Sequence, residues 1–193
     1  AATICDETIA LAAGGTEKRY DFHGSIESNN SPKETLTRML TSCGGIIFYA
    51  NGKFKIKVAK YVSPTITLDE NNLRSGLTVE TKRSVRENYN AVKGVFSPAS
   101  TNYIPTDYPV VESSTFLAED NNIKQFLNLD LPYTQTSTMA QRLAKIALFR
   151  ERQSVAITAS FDLNAFQLDI GDTVQITNTR FGFSNKVFEV ANW

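Results

Sequence analysis

The stretch SPKETLTRMLTSCGGIIFYANGKFKIKVA, Ser31 to Ala59, decides how the chain is read. Its first half has the period of a helix. Ser31 followed by Glu34 makes a capping box, and Pro32 falls at the first helical position, where its missing N–H costs nothing. Leu36, Met39, Leu40 and Cys43 recur on one face, and Gly44 is a left-handed stop. The second half has a period of two residues. IIFYA and KFKIKVA are alternating runs joined by Asn51-Gly52, the strongest short-range hairpin signal. That turn pairs Tyr49 with Phe54 and Ile47 with Ile56. One face then carries Ile47, Tyr49, Phe54, Ile56 and Val58, and the other carries Lys53, Lys55 and Lys57. We expect the apolar face to lie inward, on the preceding helix.

Around this unit the chain is rich in short β-type runs. RYDFHGSIES (Arg19 to Ser28), SPTITLDE, GLTVETKRS, YNAVKGVFSP, TDYPVVESSTF and NIKQFLNLDLP each have strand character. A second helix is expected at Ser137 to Gln153, capped by Ser137 or Thr138, with Met139, Leu143, Ile146 and Ala147 as its apolar stripe. SVAITASFD, FQLDIGDTVQIT and KVFEVANW close the chain as strands. In LDIGDTVQIT, Phe166, Leu168 and Ile170 alternate inward and Gly171 makes a turn or bulge. Asp169 and Asp172 then stay in water at the corner. The fold class is α+β, mainly antiparallel, with two principal helices. We expect a leading segment 1–19, a helix-plus-hairpin subdomain 20–62, and a barrel-like β unit 63–193 that carries the helix 137–153.

With 193 residues the chain suits one domain or two small ones, large enough for a core without metal or disulfide staples. Lys+Arg and Asp+Glu balance at 20 each, so no global field draws nucleic acid or anionic lipid. Cys5 and Cys43 read as free thiols, since two cysteines do not make a disulfide framework. No run of about 18 apolar residues is present. The chain opens AATICDE without an initiator Met and closes FEVANW inside a strand-like pattern, as expected of a segment of a longer polypeptide.

Candidate chemistry is thin. His23 is the sole histidine, and no nucleophile-elbow or Cys–His pattern accompanies it. Zinc needs clustered Cys and His, which are absent. DENN at 69–72 and AEDNN at 118–122 lack the Gly and terminal Glu of a calcium loop, and turn chemistry accounts for both. Gly14-Gly15 and Gly44-Gly45 match no phosphate cradle. Lys82, Arg83 and Arg86, with Tyr89 nearby, form the best nucleic-acid candidate, but their spacing equally suits a charged strand edge. We therefore expect no enzyme, no cofactor, no metal and no specific nucleic-acid binding.

One resemblance stands beside these readings. RYDFHGSIE, the helix SPKETLTRML, CGG, the hairpin YANGKFKI, the run NAVKGVF, the helix AQRLAKIALFRER and LDIGDTVQIT follow in an order covering roughly residues 19–193. Together they resemble the central region of tail-tip proteins of long-tailed phages, the group typified by the lambda host-specificity protein J. The resemblance implies a tail-tip or baseplate-hub component of the virion, made in the host cytoplasm. Three copies would surround the tail axis in β-barrel tube-like domains, next to a distal tail protein and a tape-measure protein. Its roles would be closing the tail tube, host attachment and DNA delivery. It implies no catalytic residues. The alternative is a carbohydrate-binding or glycan-processing β-domain, suggested by the aromatic content and the acidic turns.

Overall fold

Residues 1–26, 29–50, 52–81, 88–153 and 155–192 are described by the computed structural model. In chain order the elements are α1 (Ala2–Cys5), β1 (Thr8–Ala10), β2 (Thr16–Lys18), α2 (Pro32–Thr41), β3 (Ile46–Ala50), β4 (Lys53–Lys57), β5 (Thr67–Leu68), β6 (Thr78–Glu80), β7 (Ala91–Lys93), β8 (Val95–Phe96), β9 (Thr106–Asp107), β10 (Val111–Glu112), α3 (Ser114–Glu119), β11 (Phe126–Asn128), α4 (Ser137–Glu151), β12 (Ala156–Thr158), β13 (Thr173–Asn178) and β14 (Phe183–Glu189). The fold is α+β and its sheets are mostly antiparallel, as expected. Among the described residues the strands form small sheets of two or three strands, and none closes into a barrel.

The chain divides into two compact units, each made from two segments: residues 1–46 with 83–153, and residues 47–82 with 154–193. This cuts across the helix-plus-hairpin subdomain expected at 20–62. Polar contacts far along the chain tie each half of that stretch into its own unit. Arg150 of α4 donates to the Gly44 carbonyl at 2.9 Å, which ties the end of α2 into the first unit. Lys55 and Lys57 of β4 bind acids near residue 170 in the second.

In the first unit α4 lays Met139, Ala140, Leu143, Ala144 and Leu148 into the core. Thr136, one residue earlier than expected, caps it by accepting from the Met139 N–H at 3.4 Å. The sheet beneath has the order β10-β7-β11, with β10 antiparallel and β11 parallel to β7. Ala91, Val92 and Leu131 are fully buried there. Two residues on the β7 segment carry much of the packing. Asn90 is fully buried, and its side chain donates to Asp120 Oδ2 and the Ile123 carbonyl at 2.9 and 2.8 Å and accepts from Gln125 N–H at 2.9 Å. Its amide is thus fully used, which is what makes burying it tolerable. Gly94 lets β7 and β11 approach: a Cβ there would lie 2.0 Å from the Leu129 carbonyl oxygen. Tyr108 covers this contact, donating to the same oxygen at 2.9 Å, and burial with the nearby Asp130 charge pushes its hydroxyl up to about 12.

Three expected strands differ. From Arg19 to Ile26 the backbone is irregular, because it is hooked to separate partners: Tyr20 N–H to the Cys5 carbonyl and His23 N–H to the Tyr133 carbonyl. The SSTF end of TDYPVVESSTF is helix α3, since Ser113 caps it by accepting from the Phe116 N–H. Residues Leu163–Gln167 are a 3-10 turn capped by Asp162, so the alternation expected to carry Phe166 inward is broken and Phe166 points out. Helix α2 forms as read, with Ser31 accepting from the Glu34 N–H and Gly44 at φ +55°, but the Glu34 carboxylate pairs with Arg38 rather than closing the box. Its stripe is only partly used: Cys43 is buried while Leu36 is exposed.

The second unit is built on β14-β13-β5, with β14 antiparallel and β5 parallel to β13. Val174 and Ile176 point into a core with Leu68, Ala165 and Leu168, and Phe161, Phe183, Phe188 and Val190 pack around it. A separate antiparallel pair joins β12 to β6.

Replacing Gly94 by Ala should lower the unfolding free energy by about 2 kcal/mol or more, because the partner is backbone and cannot swing away. Urea unfolding of the variant checks this; an unchanged midpoint would contradict the close approach.

Candidate functional site

The hairpin β3–β4 is present, and Gly52 has the left-handed φ of +74° that its turn requires. Asn51 lies outside the described residues. As read from the sequence, Tyr49 and Phe54 meet, with ring centroids 5.0 Å apart in edge-to-face geometry. The orientation is the reverse of expectation. Ile47, Tyr49, Phe54 and Ile56 face solvent, with Tyr49 64% and Phe54 76% exposed. Of the expected inward face, Val58 alone is buried.

The lysines explain the reversal. Lys55 Nζ lies 2.5 Å from Asp169 Oδ2, and Lys57 Nζ pairs with Asp172 Oδ1. Lys57 also sits 5.9 Å from the Phe48 ring centroid on this inner face. Residues two apart on a strand stand about 7 Å apart on one face, and the bend at Gly171 (φ +78°) presents two carboxylates to match. That corner is itself stitched down. Gly171 N–H donates to the Val190 carbonyl at 2.7 Å, Val190 N–H to the Asp172 carbonyl at 2.8 Å, and Asp169 N–H to Asp172 Oδ2 at 2.7 Å. Partial burial works to raise the Asp172 carboxyl, but the Lys57 hydrogen bond, the Asp169 N–H and the charges of Lys57 and Lys55 outweigh it, and the net shift is downward. Asp169 and Asp172 are therefore not a solvated corner. They clamp a ribbon whose apolar face is left outward.

A second apolar surface lies on the 3-10 turn of the same unit. Leu163 is 86% and Phe166 78% exposed. They border a shallow hollow of about 610 Å³ lined also by Arg74, Phe161, Asp162 and Asn164. Its carboxylate is already engaged: Asp162 Oδ2 accepts from Asn72 Nδ2 and Asn164 Nδ2, each at 3.1 Å, and lies 3.6 Å from Arg74 Nη2, while Arg74 Nη1 donates to the Asn71 carbonyl and the guanidinium stays largely in water.

The other candidates resolve into local structure. His23 Nε2 lies 3.0 Å from Asp21 Oδ2. DENN is a 3-10 turn whose Asp69 accepts from the Asn71 N–H. In AEDNN, Asp120 takes two hydrogen bonds from Arg152 and one from Asn90, and the Arg152 bonds lead in holding its carboxyl below the usual range. Asn121 and Asn122 adopt left-handed φ. Cys5 and Cys43 are free thiols. Lys82, Arg83 and Arg86 lie outside the described residues. Among the described residues no group of three His, Cys, Asp or Glu side chains gathers to hold a metal, and no helix is long and apolar enough to cross a membrane.

No protein-family model matches the chain, and no curated protein matches it. Among solved structures it is similar to a chain of the virion of a native gene transfer agent particle, with TM-score 0.68 and 12% identity over 86% of this chain and 37% of that one. It is also similar to the 43 kDa tail protein of prophage MuSo2 from Shewanella oneidensis, with TM-score 0.49 and 16% identity over 87% of this chain and 49% of that one. The chain thus spans less than half the length of either protein, and at these identities the first likeness concerns the fold alone.

Asp169→Asn with Asp172→Asn removes both charges while keeping a side-chain acceptor for the Asp169 N–H. Each pair is about a third exposed, so each is worth no more than about 1 kcal/mol. Amides of β3 and β4 should exchange severalfold faster in the variant, with those of β13–β14 unchanged; equal hairpin protection would show that the ladder does not hold it. In the parent chain the Asp172 contribution is present above its unfolded value of 3.8 and is lost as pH falls below that, so the same loosening should begin there.

Proposed function

We propose that the chain is a structural part of a phage-type tail, placed at the tail tip or baseplate hub, and that it acts by assembly rather than catalysis. The observation that carries this reading is the fold likeness to a chain of a gene transfer agent virion across most of its length. The order of sequence motifs supports the finer placement. So does the surface: the exposed side chains that stand out in the second unit are apolar and aromatic, suited to protein contacts. In this role the chain helps close the distal end of the tail tube and serves host attachment and DNA delivery. Several copies, three by the tail-tip resemblance, sit around the axis beside the distal tail and tape-measure proteins.

Immunogold labelling of particles released from the producing cells, with antibody raised against the chain, tests the reading. Gold at the distal end of the tail is expected. Label along the tube or on the head would overturn the tip placement, and particles without label would overturn the tail reading.

A further inference from the structure

The second unit exposes two apolar surfaces of different shape. One is a ridge, the Tyr49–Phe54 pair flanked by Ile47 and Ile56. The other is a hollow, bordered by Leu163 and Phe166 with Phe161 in its lining. We propose that the ridge of one copy seats in the hollow of the next, joining copies of this chain head to tail.

Three observations lead there. The ridge is held outward by the Lys55–Asp169 and Lys57–Asp172 pairs, so it is presented in a set orientation rather than left loose. Asp162 in the hollow is already hydrogen-bonded to Asn72 and Asn164, so a guest gains chiefly by apolar contact, which a ring pair supplies and a sugar does not. The areas also suit. An aromatic side chain carries on the order of 200 Å² and an aliphatic one somewhat less, so at their fractional exposures Tyr49 and Phe54 with the two isoleucines offer roughly 400 Å², and Leu163 with Phe166 roughly 300 Å². At the roughly 60% apolar share of protein interfaces, about 700 Å² of apolar surface corresponds to some 1,200 Å² in all, the lower bound of a specific contact. A ridge-on-ridge pair with twofold symmetry would leave Leu163 and Phe166 in water; the head-to-tail contact covers both surfaces. Such a contact is heterologous, and repeated in the same sense it closes a ring or continues as a chain.

This gives the self-association of the tail reading its surface, and the two fail separately, because particle labelling does not depend on which faces meet. Sedimentation velocity of the 193-residue chain across a concentration series reads the contact. The parent chain should associate with concentration. Phe54→Asp and Phe166→Asp, both at exposed positions, should keep the parent melting curve and each weaken association by at least about tenfold, since either would bury a carboxylate. An equimolar mixture of the two retains one intact ridge and one intact hollow and should form a one-to-one dimer. Should either aspartate lower the melting temperature, Phe54→Ser and Phe166→Ser repeat the test. A parent chain monomeric at about 1 mM, variants that associate as the parent does, or a mixture that stays monomeric would each overturn the proposal.

Discussion

Side chains on a strand alternate, so a two-stranded ribbon can turn only one face toward its own domain. In β3–β4 that choice rests on Lys55 and Lys57 meeting Asp169 and Asp172. Once the lysines are inside, Ile47, Tyr49, Phe54 and Ile56 must be outside. The magnitudes make this orientation informative. Two partly exposed ion pairs are worth about 2 kcal/mol at most. Roughly 400 Å² of apolar surface left in water corresponds to about 10 kcal/mol of unclaimed burial, as an upper bound. A ribbon that kept its apolar face wet for its own sake would be a poor bargain. As a prepared contact surface it is a reasonable one.

The same logic separates the two units. In the first, the specific devices point inward. Asn90 gathers the 120s loop around its amide, Arg152 neutralises Asp120 while stacking on Phe116, and Gly94 brings two strands to van der Waals distance. Apolar side chains are exposed in this unit too, Tyr103, Ile104, Ile123 and Phe149 among them. In the second unit a small core of Leu68, Ala165, Leu168, Val174 and Ile176 is closed by flanking aromatics, and further apolar groups are turned outward at the ribbon and at the Leu163–Gln167 turn. Titratable groups at the hairpin corner serve positioning: the Asp172 carboxylate is held charged by a lysine that orients a strand. The outward apolar groups at the ribbon and the turn are the surfaces that the proposed assembly role would use.

A fold can persist at 12% identity when what matters is the placement of small sheets and a packed helix. The residues that carry the local geometry here are few and scattered: a glycine against a carbonyl, a buried asparagine, two acids around a bend.

Much of the secondary structure was legible in the chain alone. Ser31, Pro32 and Gly44 bound a helix because caps act within a turn of their own position, and Gly52 turns a hairpin because the left-handed φ is a property of the residue. The β13 alternation followed from period, as did Met139 and Leu143 on α4, but Ala140, Ala144 and Leu148 complete the buried face of that helix while the expected Ile146 and Ala147 are only half-buried. What escaped was decided at long range. The turn at Leu163–Gln167 broke an alternation because Asp162 capped it, and the Arg19–Ile26 segment lost its strand to scattered partners across the first unit. The face of the hairpin is the clearest case. Alternation specified two faces, but which one lay inward depended on carboxylates more than a hundred residues away. Lysines two apart and aspartates three apart around a glycine were both visible, yet nothing local joined them. Period is local and belongs to the sequence; the sign of a face is set by what it meets, and only the tertiary structure brings that partner into place.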